Sequence, residues 1–179
     1  LLDFLVTYAP SPKERGDAVA KDLQAKKEVA VPPDAFRPPA IFVFKTVSEQ
    51  HVGELSYFRV YSGTVSPGMD LLNENNGKTE RLGQLFLMNG KERREAGRLL
   101  PGDIGAVVKL KDTHTNNTLS SKAFPVTFTP IMFPDPVIRM AIVSKSKGDE
   151  DRIATGLHYL HEEDPTFVIH VDAQLSQTV

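Results

Sequence analysis

The sequence predicts a mainly β chain that becomes α+β: an antiparallel β-barrel over residues 40–124, followed by an incomplete βαβ module over residues 125–179. Two observations predict it. Between Ala40 and Pro125, short β-branched and aromatic runs recur at regular spacing with Gly, Pro and Asn turns between them, as in strands that close into a cylinder and so leave no exposed edge. Beyond residue 124 the pattern reads strand, helix, strand and the start of another strand, the first half of a split βαβ sandwich.

Leu1, Leu2, Leu5, Val6 and Tyr8 mark one side of a short helix that Pro10 and Pro12 end. A chain that opens inside a helix without an initiator Met is expected to be an excised piece. Residues 13–39 read as a connector rich in Lys, Ala and Pro, with Pro32, Pro33, Pro38 and Pro39 favouring extended backbone. Within it, residues 17–27 suggest a short exposed helix with a weak pattern.

Ile41 to Thr46 is a strand by composition. Glu54 to Gly63 alternates, with Leu55, Tyr57, Arg59 and Tyr61 on one side and Phe58 and Val60 on the other. Ser66-Pro67-Gly68 is a turn, Met69–Asn73 the next strand, and Asn75-Asn76-Gly77-Lys78 a hairpin turn in which Asn and Gly supply positive φ. Lys78–Met88 returns as a strand, Gly102–Val108 follows, and Thr118-Leu119 leads to a last short strand near Pro125. Pro134 and Pro136 then bracket an extended entry to a strand over Val137–Val143. Asp149 is a good N-cap, and Ile153, Leu157 and Leu160 follow at i, i+4 and i+7, so a helix runs to about Glu163 and Pro165 stops it. Phe167–Val171 is the next strand and Gln177–Val179 begins another.

The 179 residues suit one mid-sized domain or two small ones. No apolar run approaches the length of a membrane-spanning helix, and no secretory signal is visible. Without cysteine there is no disulfide framework and no thiolate metal site, which fits a cytoplasmic protein. The formal charge is −2, but it is unevenly spread. Residues 45–111 hold ten basic and eight acidic residues, net +2, while residues 148–179 hold one basic and seven acidic, net −6. Phosphate contact would therefore come from local patches and not from a bulk field.

Gly77-Lys78-Thr79 resembles the tail of a phosphate-binding loop, but the first glycine of that loop would stand at position 72, which is Leu72, so a hairpin turn is favoured. His158 and His161 could share a metal but have no third ligand at suitable spacing, and surface histidines are favoured. No Ser/His/Asp order or acidic pair identifies catalysis. Asn116-Asn117-Thr118 matches a glycosylation sequon and reads as a polar turn. Glu162-Glu163-Asp164 opposes the helix dipole, as a solvated terminus or with a functional role for Asp164. Lys91-Glu92-Arg93-Arg94 and Arg98 form the densest basic stretch, with Lys78 and Arg81 before it. These residues suit phosphate-backbone contact, against a solvated loop paired with Glu92 and Glu95. Arg59, between Tyr57 and Tyr61, either stacks on an aromatic ring or projects toward RNA.

Longer words carry a family resemblance. Phe44-Lys45-Thr46 and Val52 to Gly63, then Glu80-Arg81-Leu82-Gly83, Pro101-Gly102-Asp103-Ile104 and Leu110-Lys111-Asp112-Thr113, resemble the second domain of elongation factor G. Phe133-Pro134-Asp135-Pro136-Val137-Ile138 and Glu162 to Phe167 resemble its third domain, and Leu2-Asp3 with Tyr8 to Pro12 the helix and linker that leave its GTPase domain. The resemblance covers nearly the whole chain in order, with residues 13–36 matched least. It implies a translation-factor β-barrel (domain II) and half of a ferredoxin-like domain III.

The family is a translational GTPase that moves tRNA and mRNA through the ribosome and helps to recycle it. Its GTP and Mg²⁺ belong to the first domain. The resemblance therefore implies no catalytic residue and no cofactor or metal in this chain. The implied partners are the small-subunit rRNA and proteins of the ribosome and a GTPase domain in cis, with no membrane and a monomeric state. Arg59, Lys78, Arg81, Lys91, Arg93 and Arg94 are the candidate rRNA contacts. Pro134, Pro136, Asp164 and Thr166 match the interdomain pocket where fusidic acid binds the family. Two departures point to an elongation factor G-like paralogue. The family writes Met-His-Ala-Asn-Lys-Arg-Glu-Glu where this chain has Met88 to Glu95, and Thr-Gly-Asp-Thr-Leu where it has Thr115-Asn116-Asn117-Thr118-Leu119. A tetracycline-resistance-type ribosomal protection protein shares the domain order, and a protein-interaction barrel without an RNA role is the reading from another class.

Overall fold

The computed structural model describes residues 1–49, 53–144, 146, 148–172, 177 and 178. The chain opens with helix α1 (Leu2–Tyr8), which is exposed along its length, and the single turn α2 (Pro12–Arg15). A capping box starts α2: the Glu14 N–H donates to Ser11 Oγ at 3.4 Å, and the Ser11 N–H donates to Glu14 Oε2 at 2.7 Å.

The expected helix over residues 17–27 is absent. In its place β1 (Ala18–Asp22) and β2 (Lys27–Val31) form an antiparallel hairpin. Asp22 builds the turn, its Oδ1 accepting from the N–H of Gln24 and of Ala25 at 2.8 Å each, and Lys26 takes φ +52°. The reason for the difference is tertiary. Ala20 and Val31 are buried against Val126 and Phe128, and this pairing overrides the helix propensity of an Ala- and Lys-rich stretch. Within residues 13–39, Ala18–Val31 thus belong to a small folded sheet and are not only a connector.

The barrel follows. β3 (Ala40–Glu49) and β4 (Gly53–Ser62) pair antiparallel, with a register shift at Phe44. β5 (Asp70–Asn73) and β6 (Thr79–Arg81) form the Asn-Gly hairpin. The single strand expected over Lys78–Met88 is broken at Leu82-Gly83-Gln84, so β7 (Leu85–Asn89) is separate from β6. The basic stretch after it is no loop: Glu92–Ala96 is strand β8, paired with β7. β9 (Ile104–Val108) and β10 (Thr118–Ser120) complete a sheet ordered β6-β5-β10-β3-β4-β9-β7-β8.

Its two edges meet across the segment between β4 and β5. Val65 exchanges backbone hydrogen bonds with Leu99 at 2.8 and 2.9 Å. The Gly68 N–H donates to Leu82 O at 2.7 Å, and the Leu82 N–H donates to Met69 O at 2.8 Å. These backbone bonds close the seam. Ile41, Val43, Phe58, Val60, Val65, Leu82, Leu85, Val107 and Leu119 fill the interior. β11 (Val126–Phe128) pairs with β1, and this small sheet packs over Ala40 and Phe42 on the outer side of β3.

The expected strand over Val137–Val143 does not form as one. Val137, Ile138, Met140 and Val143 are exposed, with no strand partner among the described residues. A β-branched run pairs only where a neighbouring strand supplies ladder partners. Helix α3 (Glu150–Glu163) ends where Pro165 requires it to. Asp149 is its N-cap but makes no side-chain cap hydrogen bond; its carboxylate lies 3.9 Å from Arg152 instead. β12 (Val171–Asp172) and β13 (Gln177–Thr178) pair antiparallel; the strand expected over Phe167–Val171 forms only at its last residue, and the expectation at Val179 lies outside the described residues.

Candidate nucleic-acid interface and interdomain contacts

The six candidate phosphate-binding residues fall on three parts of the barrel. Lys91, Arg93 and Arg94 belong to the β7–β8 hairpin, whose turn uses Gly90 at φ +59°. Strand alternation sends Arg93 and Arg94 to opposite faces, with Arg94 opposite Leu87 and Arg93 opposite Met88. Lys91 and Arg94 are exposed. Arg81 is exposed on β6. Lys78 is already engaged by Asp112 in an exposed ion pair, so its charge is partly answered from within the chain. Arg59 stands in mid-sheet on β4 with its guanidinium 5.5 Å from the centre of the Tyr61 ring, while it also lines a cleft open to solvent. The contact with the aromatic ring is the one that forms.

A polar network behind Lys78 joins two of the words that carried the resemblance. Glu80 is buried on β6. Its carboxylate accepts from the Asp112 N–H at 2.6 Å, the Thr113 hydroxyl at 3.0 Å and the Lys111 N–H at 3.2 Å. Buried Asn73 donates through Nδ2 to Asp112 O at 3.0 Å and to Asn117 Oδ1 at 2.8 Å. The loop from Lys111 to Asn117 is therefore held from below by β5 and β6.

That loop and β3 carry the contacts to α3. His114 Nδ1 lies 2.7 Å from Oε2 of Glu162, a carboxylate only 7% exposed. Glu163 accepts from the Ser48 N–H at Oε1, 2.7 Å, and its carbonyl accepts from Lys45 Nζ at 2.8 Å. Glu162 and Glu163 are thus docking groups as well as a helix end. Asn116 brackets the linker: its Nδ2 donates to Ile131 O at 3.0 Å and its Oδ1 accepts from the Ile131 N–H at 2.8 Å. Asn116 adopts φ +74°, which Asn tolerates where the family word has Gly. Sequence reasoning saw this position as a departure and a sequon; its pairing with residue 131 had no signal in the linear sequence.

Of the four interdomain-pocket candidates, the geometry joins two. Asp164 Oδ1 accepts from the Thr166 hydroxyl at 2.7 Å and from its N–H at 2.9 Å. These bonds, with a smaller contribution from Lys45, hold the Asp164 carboxyl below the ordinary aspartate range. Pro134 and Pro136 are exposed on the extended segment, and among the described residues no hydrogen bond ties them to Asp164 or Thr166. His158 and His161 are exposed, and His161 Nδ1 donates to Phe167 O at 2.7 Å. Among the described residues no group of three His, Asp or Glu could hold a metal ion, and no helix is long and apolar enough to cross a membrane.

The family description "Elongation factor G domain 2" matches residues 38–122, and "Elongation Factor G, domain III" matches residues 133–179. A crystal structure of a Thermus thermophilus protein superposes with a TM-score of 0.74 at 24% identity, over 99% of this chain and 24% of that one. At that identity the likeness is one of fold, and this chain spans about a quarter of that protein's length.

Proposed function

Because this chain belongs to the elongation factor G family, whose second and third domains it spans in order, we propose that it is the ribosome-docking and relay portion of an elongation factor G-like translational GTPase that promotes movement of tRNA and mRNA. The observation that carries the reading is the succession of both domains along one chain, with α3 held to the barrel at Lys45, Ser48 and His114. In this reading the barrel rests on small-subunit rRNA through phosphate contacts without reading base sequence. Movement of the third domain reaches the barrel as a rigid-body shift, because α3 is tied both to β3 and to the loop Lys111–Asn117, which β5 and β6 hold in turn. GTP and Mg²⁺ bind in the parent's first domain, and the chain itself works in the cytoplasm as a monomer that hydrolyses nothing.

The test is a filter-binding titration of this chain on isolated small ribosomal subunits at two ionic strengths. Retention is expected at low salt and loss at high salt, since Lys and Arg contacts release counterions from phosphate. Equal retention at both strengths would refute the electrostatic account. No retention at either would refute docking and favour a barrel that binds protein. A GTP hydrolysis assay on the same preparation is expected to give no turnover.

A further inference from the structure

We propose that the cleft between α2 and β4 is a phosphate-binding site that takes one phosphodiester group between the guanidinium groups of Arg15 and Arg59. The cleft has a volume of about 260 Å³ and is lined by Pro12, Arg15, Asp17, Arg59, Tyr61 and Gly102 among others. That is at the small end of the roughly 300–1,000 Å³ typical of sites that enclose whole small molecules, and it suits a phosphate with its sugar.

Both arginines are placed by the fold. Arg59 is fixed in the centre of the sheet, opposite Phe42 on β3 and Ile104 on β9. Arg15 is the last residue of α2, which the Ser11–Glu14 capping box and Pro12 define. Pro12 packs so closely on Gly102 that a Cβ at that position would clash with the Pro12 ring. The turn carrying Arg15 is therefore seated on the loop before β9.

Among the described residues neither arginine is ion-paired, although Asp17 lines the same cleft. Two guanidinium groups and one carboxylate sum to +1. That charge balances a phosphodiester, which carries one negative charge, better than a free phosphate near neutral pH. The planar donor fork of each arginine suits two oxygens of one phosphate. Base readout is not provided for. Tyr61 is stacked on Phe128 at 4.2 Å and has the Arg59 guanidinium 5.5 Å from its ring centre, so its ring is already engaged within the chain and not offered to a base. This site deepens the docking reading, on which it rests for the source of the diester: a ribose-phosphate backbone.

The salt dependence of binding to small subunits tests it, with Arg15→Gln, Arg59→Gln and the double variant beside the unaltered chain. Loss of one phosphate contact lowers the slope of log K against log salt by about 0.7–0.9. Each single variant is expected to show that loss, and the double variant no more than one such step, because both arginines serve one phosphate. A step of twice that size in the double variant, or unchanged slopes in the singles, overturns the proposal. Arg59→Lys, which retains charge and stem, controls for packing and is expected to keep most of the slope.

Two probes separate the sources: an abasic sugar-phosphate oligomer and inorganic phosphate, each titrated while the arginine Nε–H NMR signals are followed. Shifts of Arg15 and Arg59 with the oligomer alone support the diester. Shifts with inorganic phosphate alone, or with neither probe, overturn it. Shifts with the oligomer in a chain that small subunits fail to retain leave this site standing and sink the docking reading.

Discussion

Glu80 shows how much one buried carboxylate decides. It satisfies two backbone N–H groups and a hydroxyl of Lys111–Thr113, while the neighbouring Lys78–Asp112 pair lies at the surface. Removing a buried acceptor strands its donors at about 1–3 kcal/mol each, whereas an exposed pair contributes less than about 1 kcal/mol. Urea denaturation should therefore show Glu80→Ala costing about 3 kcal/mol or more and Lys78→Ala under about 1 kcal/mol. Equal losses would mean that the loop does not depend on Glu80. The Glu80 and Asp112-Thr113 words were legible, but not their partnership, because more than thirty residues separate them and no periodicity links such positions. Asp164 gives the pH prediction. Its folded value is lowered by the Thr166 hydroxyl and N–H, so the stability it adds is complete above the ordinary aspartate value and is lost as pH falls through the depressed one. The turn after α3 should hold at neutral pH and loosen only in strong acid. NMR titration of the Thr166 amide should give a midpoint that rises in Thr166→Ser far less than in Thr166→Ala, since Ser keeps the hydroxyl donor.

Elements were legible where local pattern and packing agree. The alternation of β4 put Phe58 and Val60 on one face, and both are in the barrel core. The Asn-Gly turn marked the β5–β6 hairpin. The α3 boundary at Pro165 followed from the ring's demand on the preceding residue. Two elements hid for opposite reasons. β8 was masked by charge, since Glu92, Arg93, Arg94 and Glu95 look solvated and only Ala96 is buried. The β1–β2 hairpin was masked by propensity, although Ala18, Ala20, Val29 and Val31 carry an alternation that matches the observed pairing. Its turn offers a test. Lys26 sits at φ +52°, where a side chain costs about 1–2 kcal/mol, so Lys26→Gly should stabilise the fold by about 1 kcal/mol in thermal denaturation. A loss of stability would show that the turn relies on the lysine. For α3, Glu163→Ala removes the acceptor of the Ser48 N–H. Amide exchange at Ser48 should then speed up, while exchange in β9, remote from that contact, stays unchanged.

At the scale of the molecule the two parts differ in what holds them. The buried apolar side chains lie between Ala20 and Phe128, with Leu157 of α3 the one addition among the described residues. Each fully buried Leu, Val, Ile or Phe contributes about 1.5–3 kcal/mol, so cohesion resides in the barrel and its covering sheet. Residues beyond Pro130 are held mainly by polar contacts: Asn116 to Ile131, His114 to Glu162, and Lys45 and Ser48 to Glu163. Such contacts contribute about 0.5–1.5 kcal/mol each, rising to about 3 kcal/mol when charged, and they break without exposing a core. A chain shortened to residues 1–130 should keep the β11-β1-β2 sheet and the closed seam at Val65 and Leu99. Its melting temperature should fall by only a few degrees, because the contacts it loses open locally before the barrel unfolds and are not part of the barrel's own stability. Cooperative unfolding of residues 1–130 with a midpoint far below that of the whole chain would show instead that α3 is part of the core and not an element attached by polar contacts.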